Sequence, residues 1–159
     1  MVAFPHPFRR IVEHVYLTDF GGTPLVHLSP YIASDKDPDL VASMFTAIQN
    51  FMDDSFHSMG IGDVRSIEMS DRHHVAFGRG HDVLLYVVYR GRESNHLESR
   101  VIHFVREIET RFGSVLRGWN GDMDRIVPIR DFLAREWDLH PRMLRSTARF
   151  VHQVRVGRT

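Results

Sequence analysis

The sequence predicts an α+β domain: a five-stranded antiparallel sheet in ββαβββα order, with helices on both faces and a C-terminal helical extension. Three observations lead there. Asp82-Val-Leu-Leu-Tyr-Val-Val-Tyr89 holds seven apolar or aromatic residues in a row, whereas a strand covered on one face alone would alternate. One stretch of helical periodicity precedes this run and another follows it, so each face has a candidate cover. The strand-like runs just before it are joined by three or four residues, too few for a parallel crossover, so they form an antiparallel meander.

The elements follow in chain order. Ile11 to Phe20 is β-rich, and Gly21-Gly22-Thr23-Pro24 separates it from Leu25-Val-His-Leu28, the pattern of a β-hairpin. Tyr31 to Asp37 is a loop. Asp37 as N-cap and Pro38 in the first turn open a helix. In it Leu40, Val41, Met44, Phe45, Ile48, Phe51, Met52 and Phe56 form a broad apolar stripe, with Asp39, Ser43, Gln49, Asn50 and Asp53 opposite. Met59-Gly-Ile-Gly62 ends it.

Val64 to Met69 alternates around Arg65 and Glu68. Ser70-Asp71-Arg72 is a tight turn, His73 to Phe77 is the next strand, and Gly78-Arg79-Gly80-His81 turns into the central run. Ser94 caps a second helix, with Leu97, Val101, Phe104, Val105, Ile108 and Phe112 inward and Gly113 near its end. Glu98, Arg100, Arg106, Glu107 and Arg111 mark its charged face. Trp119-Asn-Gly-Asp122 is a turn. Ile126, Ile129, Phe132, Leu133 and Trp137 indicate a third helix, started or interrupted at Pro128. A last helix is expected from Pro141, with Leu144, Ala148 and Val151 on its thin apolar side. The aromatic rings of Phe45, Phe51, Phe56, Phe104 and Phe112 all fall on stripes expected to face the core.

The 159 residues fit one domain, residues 9–137, with an arginine-rich extension over 138–159. Hydrophobic residues make up 43% and charged residues 25%, a balance that supports a packed core. Twenty basic and twenty acidic residues cancel, so net charge makes no global case for nucleic acid. The absence of cysteine excludes disulfides, thiolate zinc sites and a cysteine nucleophile. The N-terminal residues lack the apolar run of a signal peptide. No segment approaches the ~18 apolar residues that span a bilayer. A soluble, cytoplasmic protein is the expectation.

Chemistry is harder to find. The eleven histidines are scattered, and none pairs at i, i+4 around an acid as a zinc protease requires. His73 and His74, adjacent on a strand, point to opposite faces. Gly78-Arg79-Gly80 precedes a strand rather than the helix a phosphate loop needs. Asp53 and Asp54 diverge by about 100° on their helix, and no Gly-x-Ser-x-Gly elbow supports a nucleophile. No catalytic residue, cofactor site or metal site is assigned, and the expectation is a non-enzyme. In the extension, Arg142, Arg145, Arg149 and His152 share one helical face, with Arg155 beyond. That face suits an acidic partner, phosphate or an anionic membrane surface, or is simply solvated or paired with Glu98, Glu107 and Glu109 of the second helix. Nucleic acid is the less favoured partner.

With these elements in place, the chain resembles the longin domains and, more distantly, the roadblock proteins of the profilin-like α/β group. The hairpin Val15-Tyr-Leu-Thr-Asp-Phe-Gly-Gly-Thr-Pro-Leu-Val-His-Leu28 is similar to their opening, and the helix Asp39 to Phe56 to their first helix. Val64-Arg-Ser-Ile-Glu-Met-Ser70, His74-Val-Ala-Phe77 and Leu84-Leu-Tyr-Val-Val88 resemble their meander. The likeness covers roughly residues 11–137 and extends to standalone longin-like proteins of archaea. It implies a non-catalytic adaptor, often dimeric, that binds small Ras-like or Arf-like GTPases or subunits of trafficking and signalling assemblies. Two other functions fit the residues: a ligand-sensing module with a pocket near Tyr86, Tyr89 or His103, and a binder of nucleic acid or anionic surfaces through the basic tail.

Overall fold

The computed structural model describes residues 12–29, 37–62 and 64–137. Five strands form one sheet: β1 (Val12–Asp19), β2 (Pro24–Leu28), β3 (Ser66–Glu68), β4 (His73–Arg79) and β5 (Val83–Arg90). Their spatial order is β2-β1-β5-β4-β3, and every neighbouring pair is antiparallel. Three helices complete the described domain: α1 (Pro38–His57), α2 (Asn95–Arg117) and α3 (Val127–Glu136). The predicted α+β class and element order hold.

β5 occupies the centre, with Val83 to Tyr89 all buried and Arg90 exposed. Its side chains divide between two cores, as the unbroken apolar run requires. Leu85, Val87 and Tyr89 join Val15, Leu17 and Ala76 under α2, where Leu97, Val101, Phe104, Val105 and Ile108 pack. Leu84, Tyr86 and Val88 join Tyr16, Val75 and Phe77 under α1. α3 packs on the same face of the sheet as α2: it lies against β2, and Phe132 and Trp137 meet Phe104 of α2 edge-on and tilted. A 3-10 turn, Met123–Ile126, leads into α3, whose first turn contains Pro128.

Small residues set the spacing on the α2 side. A Cβ built on Gly78 would lie 2.7 Å from Val105 and 2.8 Å from Val101, so only glycine lets α2 sit this close to β4. That contact also corrects the predicted turn. β4 runs through Gly78 to Arg79, and the reversal is made at Gly80, whose N–H donates to the Val83 carbonyl (2.9 Å). Glu109 of α2 clamps the turn by accepting from the N–H of Asp82 (2.8 Å). Between β3 and β4, Asp71 and Arg72 adopt φ of 58° and 61°, which tightens the predicted turn with two non-glycine residues in the left-handed region.

Glu98 departs from its predicted place on the charged face of α2; it is buried in the helix's first turn. The helix start sinks into the core there, with Ser94 capping the N–H of Leu97 and donating its own N–H to the Tyr89 hydroxyl.

Candidate interaction surface

Helix α1 is built differently from α2, and the difference creates the candidate site. At 3.6 residues per turn, α1 presents three adjacent stripes with 4-3-4 spacing. Ala42, Thr46, Gln49 and Asp53 face the sheet; the first three are buried and Asp53 is half-buried. Val41, Ile48 and Met52 flank this stripe and are half-buried, with Phe45 buried among them. Leu40, Met44, Ala47 and Phe51 point outward, and the three large ones are 70%, 48% and 69% exposed.

This rotation overturns two expectations. Phe51 is not a core residue but one of the most exposed apolar side chains. Gln49, expected on the solvated side, is 2% exposed. Asp39, Ser43 and Asn50 are exposed as expected, but Gln49 and Asp53 turn toward the sheet while Leu40, Met44 and Phe51 of the apolar arc meet solvent. Beneath α1, the hydroxyl of fully buried Tyr86 meets Thr46 Oγ1 at 2.9 Å, as a buried tyrosine hydroxyl requires a partner. Thr46 donates its own hydroxyl hydrogen to the Ala42 carbonyl (3.0 Å), so the tyrosine is the donor in that bond. Burial holds the Tyr86 pKa above its ordinary value. Farther along, the Asp53 carboxylate pairs with Arg79 of β4. The Arg79 guanidinium also lies 5.0 Å from the centre of the exposed Phe20 ring.

The sheet edges are unequal. β2 lies against the 3-10 turn and α3, and its Leu25, Val26 and Leu28 share the larger core with Ile126 and Ile129. β3, three residues long, ends the sheet on the other side. Its shortness and the exposed Arg65 and Glu68 blunt it as a pairing edge.

Four of the described histidines make contacts within the sheet. His14 Nδ1 and His27 Nε2 are 3.2 Å apart, and their rings stack with Tyr16. Burial, reinforced by His14, lowers the His27 pKa to about 4; burial also lowers that of His14, and pushes Tyr16 up to about 12. His73 pairs with Glu13 (2.9 Å), while His74 stacks on Tyr89, so the two point apart as predicted. Among the described residues no group of three metal-ligating side chains gathers, and no helix is long and apolar enough to cross a membrane.

The residues named for a ligand pocket are not brought together. Tyr86 lies under α1, Tyr89 lies under α2, and His103 is exposed on the outer side of α2. The basic residues Arg142, Arg145, Arg149, His152 and Arg155 fall outside the described residues. The exposed apolar stripe was missed in the sequence. Its signal was present: the apolar arc of α1 is wider than one sheet face can cover.

No protein-family model matches the chain, and no curated protein sequence does. Solved structures do. MglB from Myxococcus xanthus superposes with a TM-score of 0.54 at 17% identity, covering 69% of this chain and 88% of that one. The Roadblock/LC7 domain from Streptomyces avermitilis gives 0.53 at 13% identity, covering 67% and 91%. The gliding protein MglB from Thermus thermophilus gives 0.50 at 16%, covering 63% and 79%. The chain therefore has the longin-like fold of the roadblock type. An archaeal likeness has no counterpart among these three.

Proposed function

We propose that this chain is a non-catalytic interaction module that pairs with a second copy of itself through α1 and, so paired, engages a small Ras-like or Arf-like GTPase. The observation that carries the pairing is the outward stripe Leu40, Met44, Ala47 and Phe51. Its spacing of four, three and four is the narrow seam of helix-to-helix packing. The seam is also self-complementary. Under a two-fold axis between residues 45 and 46, Leu40 meets the partner's Phe51 and Met44 meets the partner's Ala47. A large side chain opposes a small one near the axis, and two large ones close each end. A two-fold interface requires this reciprocity, and exposed Ser43, Asn50 and Asp54 would give it a polar rim.

The GTPase is supported by the fold shared with the MglB and Roadblock/LC7 structures and by what the sequence resemblance implies. The module is residues 9–137, and the basic extension over 138–159 is an accessory contact for an acidic partner surface.

Sedimentation of the full chain tests the pairing. A concentration-dependent dimer is expected, and Phe51→Asp should weaken it by roughly 100-fold or more, since each dimer loses the contact twice. The monomer's stability should shift by no more than about 0.5 kcal/mol, as for other exposed positions. A wild-type chain that stays monomeric, or a Phe51→Asp dimer of unchanged affinity, defeats the pairing. Calorimetric titration against GTPases encoded beside this gene tests the second part, and silence in both nucleotide states rejects it.

A further inference from the structure

The contact between α1 and the sheet changes character along the helix. Up to Phe45 it is apolar: Ala42 and Phe45 pack with Tyr16, Phe77 and Tyr86, and Asp37 caps the helix start by accepting from the Asp39 N–H (3.0 Å). From Thr46 onward the sheet-facing positions are Thr46, Gln49 and Asp53. Gln49 is buried, and its Oε1 accepts no hydrogen bond. Asp53 is held by Arg79, whose side chain is about one-third exposed and within reach of water. The sheet-facing positions of this half-helix therefore hold one hydroxyl pair, one ion pair and one unpaired amide oxygen, flanked by half-buried Ile48, Met52 and Phe56, where α2 has a continuous, fully buried apolar seam. Burial of apolar surface is what makes a helix resist local opening, and no apolar side chain of this segment is fully buried, against five in α2.

We propose that the C-terminal half of α1, from Thr46 to His57, is a releasable strap, latched to the sheet by the Arg79–Asp53 ion pair. Opening hydrates Gln49 and both members of the latch and uncovers Leu84 and Tyr86 of β5. It also removes Ala47 and Phe51 from the outward seam. Self-association and docking of the strap are then linked: a second copy binds the docked form and shifts the population toward it. This last clause rests on the pairing reading given above; the strap itself does not.

Hydrogen exchange of the full chain, read by mass spectrometry on short peptides, tests it. At a dilution where the chain is monomeric, amides of residues 46–57 should exchange at least roughly tenfold faster than those of 101–108. Arg79→Gln should accelerate residues 46–57 several-fold and leave 101–108 unchanged. Gln49→Leu, which needs no lost contact to act, should slow 46–57. Equal protection of the two helices in the wild type overturns the strap. So does an Arg79→Gln effect of the same size on both segments, because that reports global destabilisation. Raising the concentration should then protect 46–57 in step with the dimer fraction seen by sedimentation. A chain that is monomeric throughout removes the pairing and the linkage, while the dilute exchange data decide the strap independently.

Discussion

Helices α1 and α2 cover the same sheet from opposite sides, and both carry strong apolar periodicity, yet they use it in opposite ways. In α2 the apolar stripe is the buried one: Leu97, Val101, Phe104, Val105 and Ile108 are all sealed in the core against the sheet. In α1 the innermost stripe holds an alanine, a threonine, a glutamine and an aspartate, and the outermost holds a leucine, a methionine, an alanine and a phenylalanine. An amphipathic pattern states that one face of a helix will leave water. It does not state what that face will meet. Where the pattern and the burial coincide, as in α2, the helix serves the fold. Where they diverge, as in α1, the surplus apolar surface is available to a partner.

The largest effect that would sharpen this contrast is a pair of truncations. Phe104→Ala removes a ring packed on all sides by the sheet, Phe132 and Trp137. It should cost about 3–5 kcal/mol, with the cavity left behind adding to the lost transfer energy. Phe45→Ala on the α1 side should cost at least about 1 kcal/mol less, because the thinner cover there can settle into the space. Chemical denaturation of both variants measures the difference. Equal losses would mean that the two sides of the sheet are equally well packed, and the contrast would be broken.

Next in size is pH. His27 on the α1 side titrates in the folded state at about 4, below its ordinary 6.5, because burial and the neighbouring His14 disfavour its charged form. The unfolded chain therefore takes up the proton first as pH falls. Stability is whole above pH 6.5 and declines between 6.5 and about 4, by roughly 3 kcal/mol at the limit of full linkage. His14, which faces His27 and is also lowered, acts in the same direction, with Glu13 opposing and His73 reinforcing. Denaturation midpoints at pH 7, 5.5 and 4.5 should fall in that order, and His27→Phe should flatten the decline. A flat wild-type profile would show that the imidazole pair is far better hydrated than its stacking with Tyr16 suggests.

Much of this was legible beforehand, for reasons that differ by residue. The seven-residue apolar run of β5 announced a strand covered twice, because no other environment tolerates two greasy faces. Ser94 and Asp37 announced helix starts, since a side-chain oxygen there satisfies an otherwise unpaired N–H. The turn at Gly78 was misplaced because a glycine that permits close helix packing looks the same in sequence as a glycine that permits a reversal. Glu98 was misplaced because periodicity weakens in a first turn that tilts into the core. The candidate surface was hidden for a subtler reason. Rotation of a helix about its own axis by one residue step, about 100°, leaves its sequence pattern unchanged. Here the orientation sets Thr46 against the hydroxyl of Tyr86, forty residues away, a contact that no local window contains.

The smallest predicted effect tests that rotation directly. Gln49 is buried with an unpaired Oε1, and a buried acceptor without a donor carries a desolvation cost of about 1–3 kcal/mol. Leucine has nearly the same reach and no such cost. If α1 sits as described, Gln49→Leu should stabilise the domain by about 1 kcal/mol, the gain being trimmed by the γ-branch and by the polar neighbours Thr46 and Asp53. A substitution of a solvated glutamine, as the sequence pattern alone would place it, should change stability by less than about 0.5 kcal/mol and add an exposed apolar group. Thermal and denaturant unfolding of this one variant thus separates the two orientations of α1. The orientation with Phe51 outward survives only if the leucine is welcomed inside.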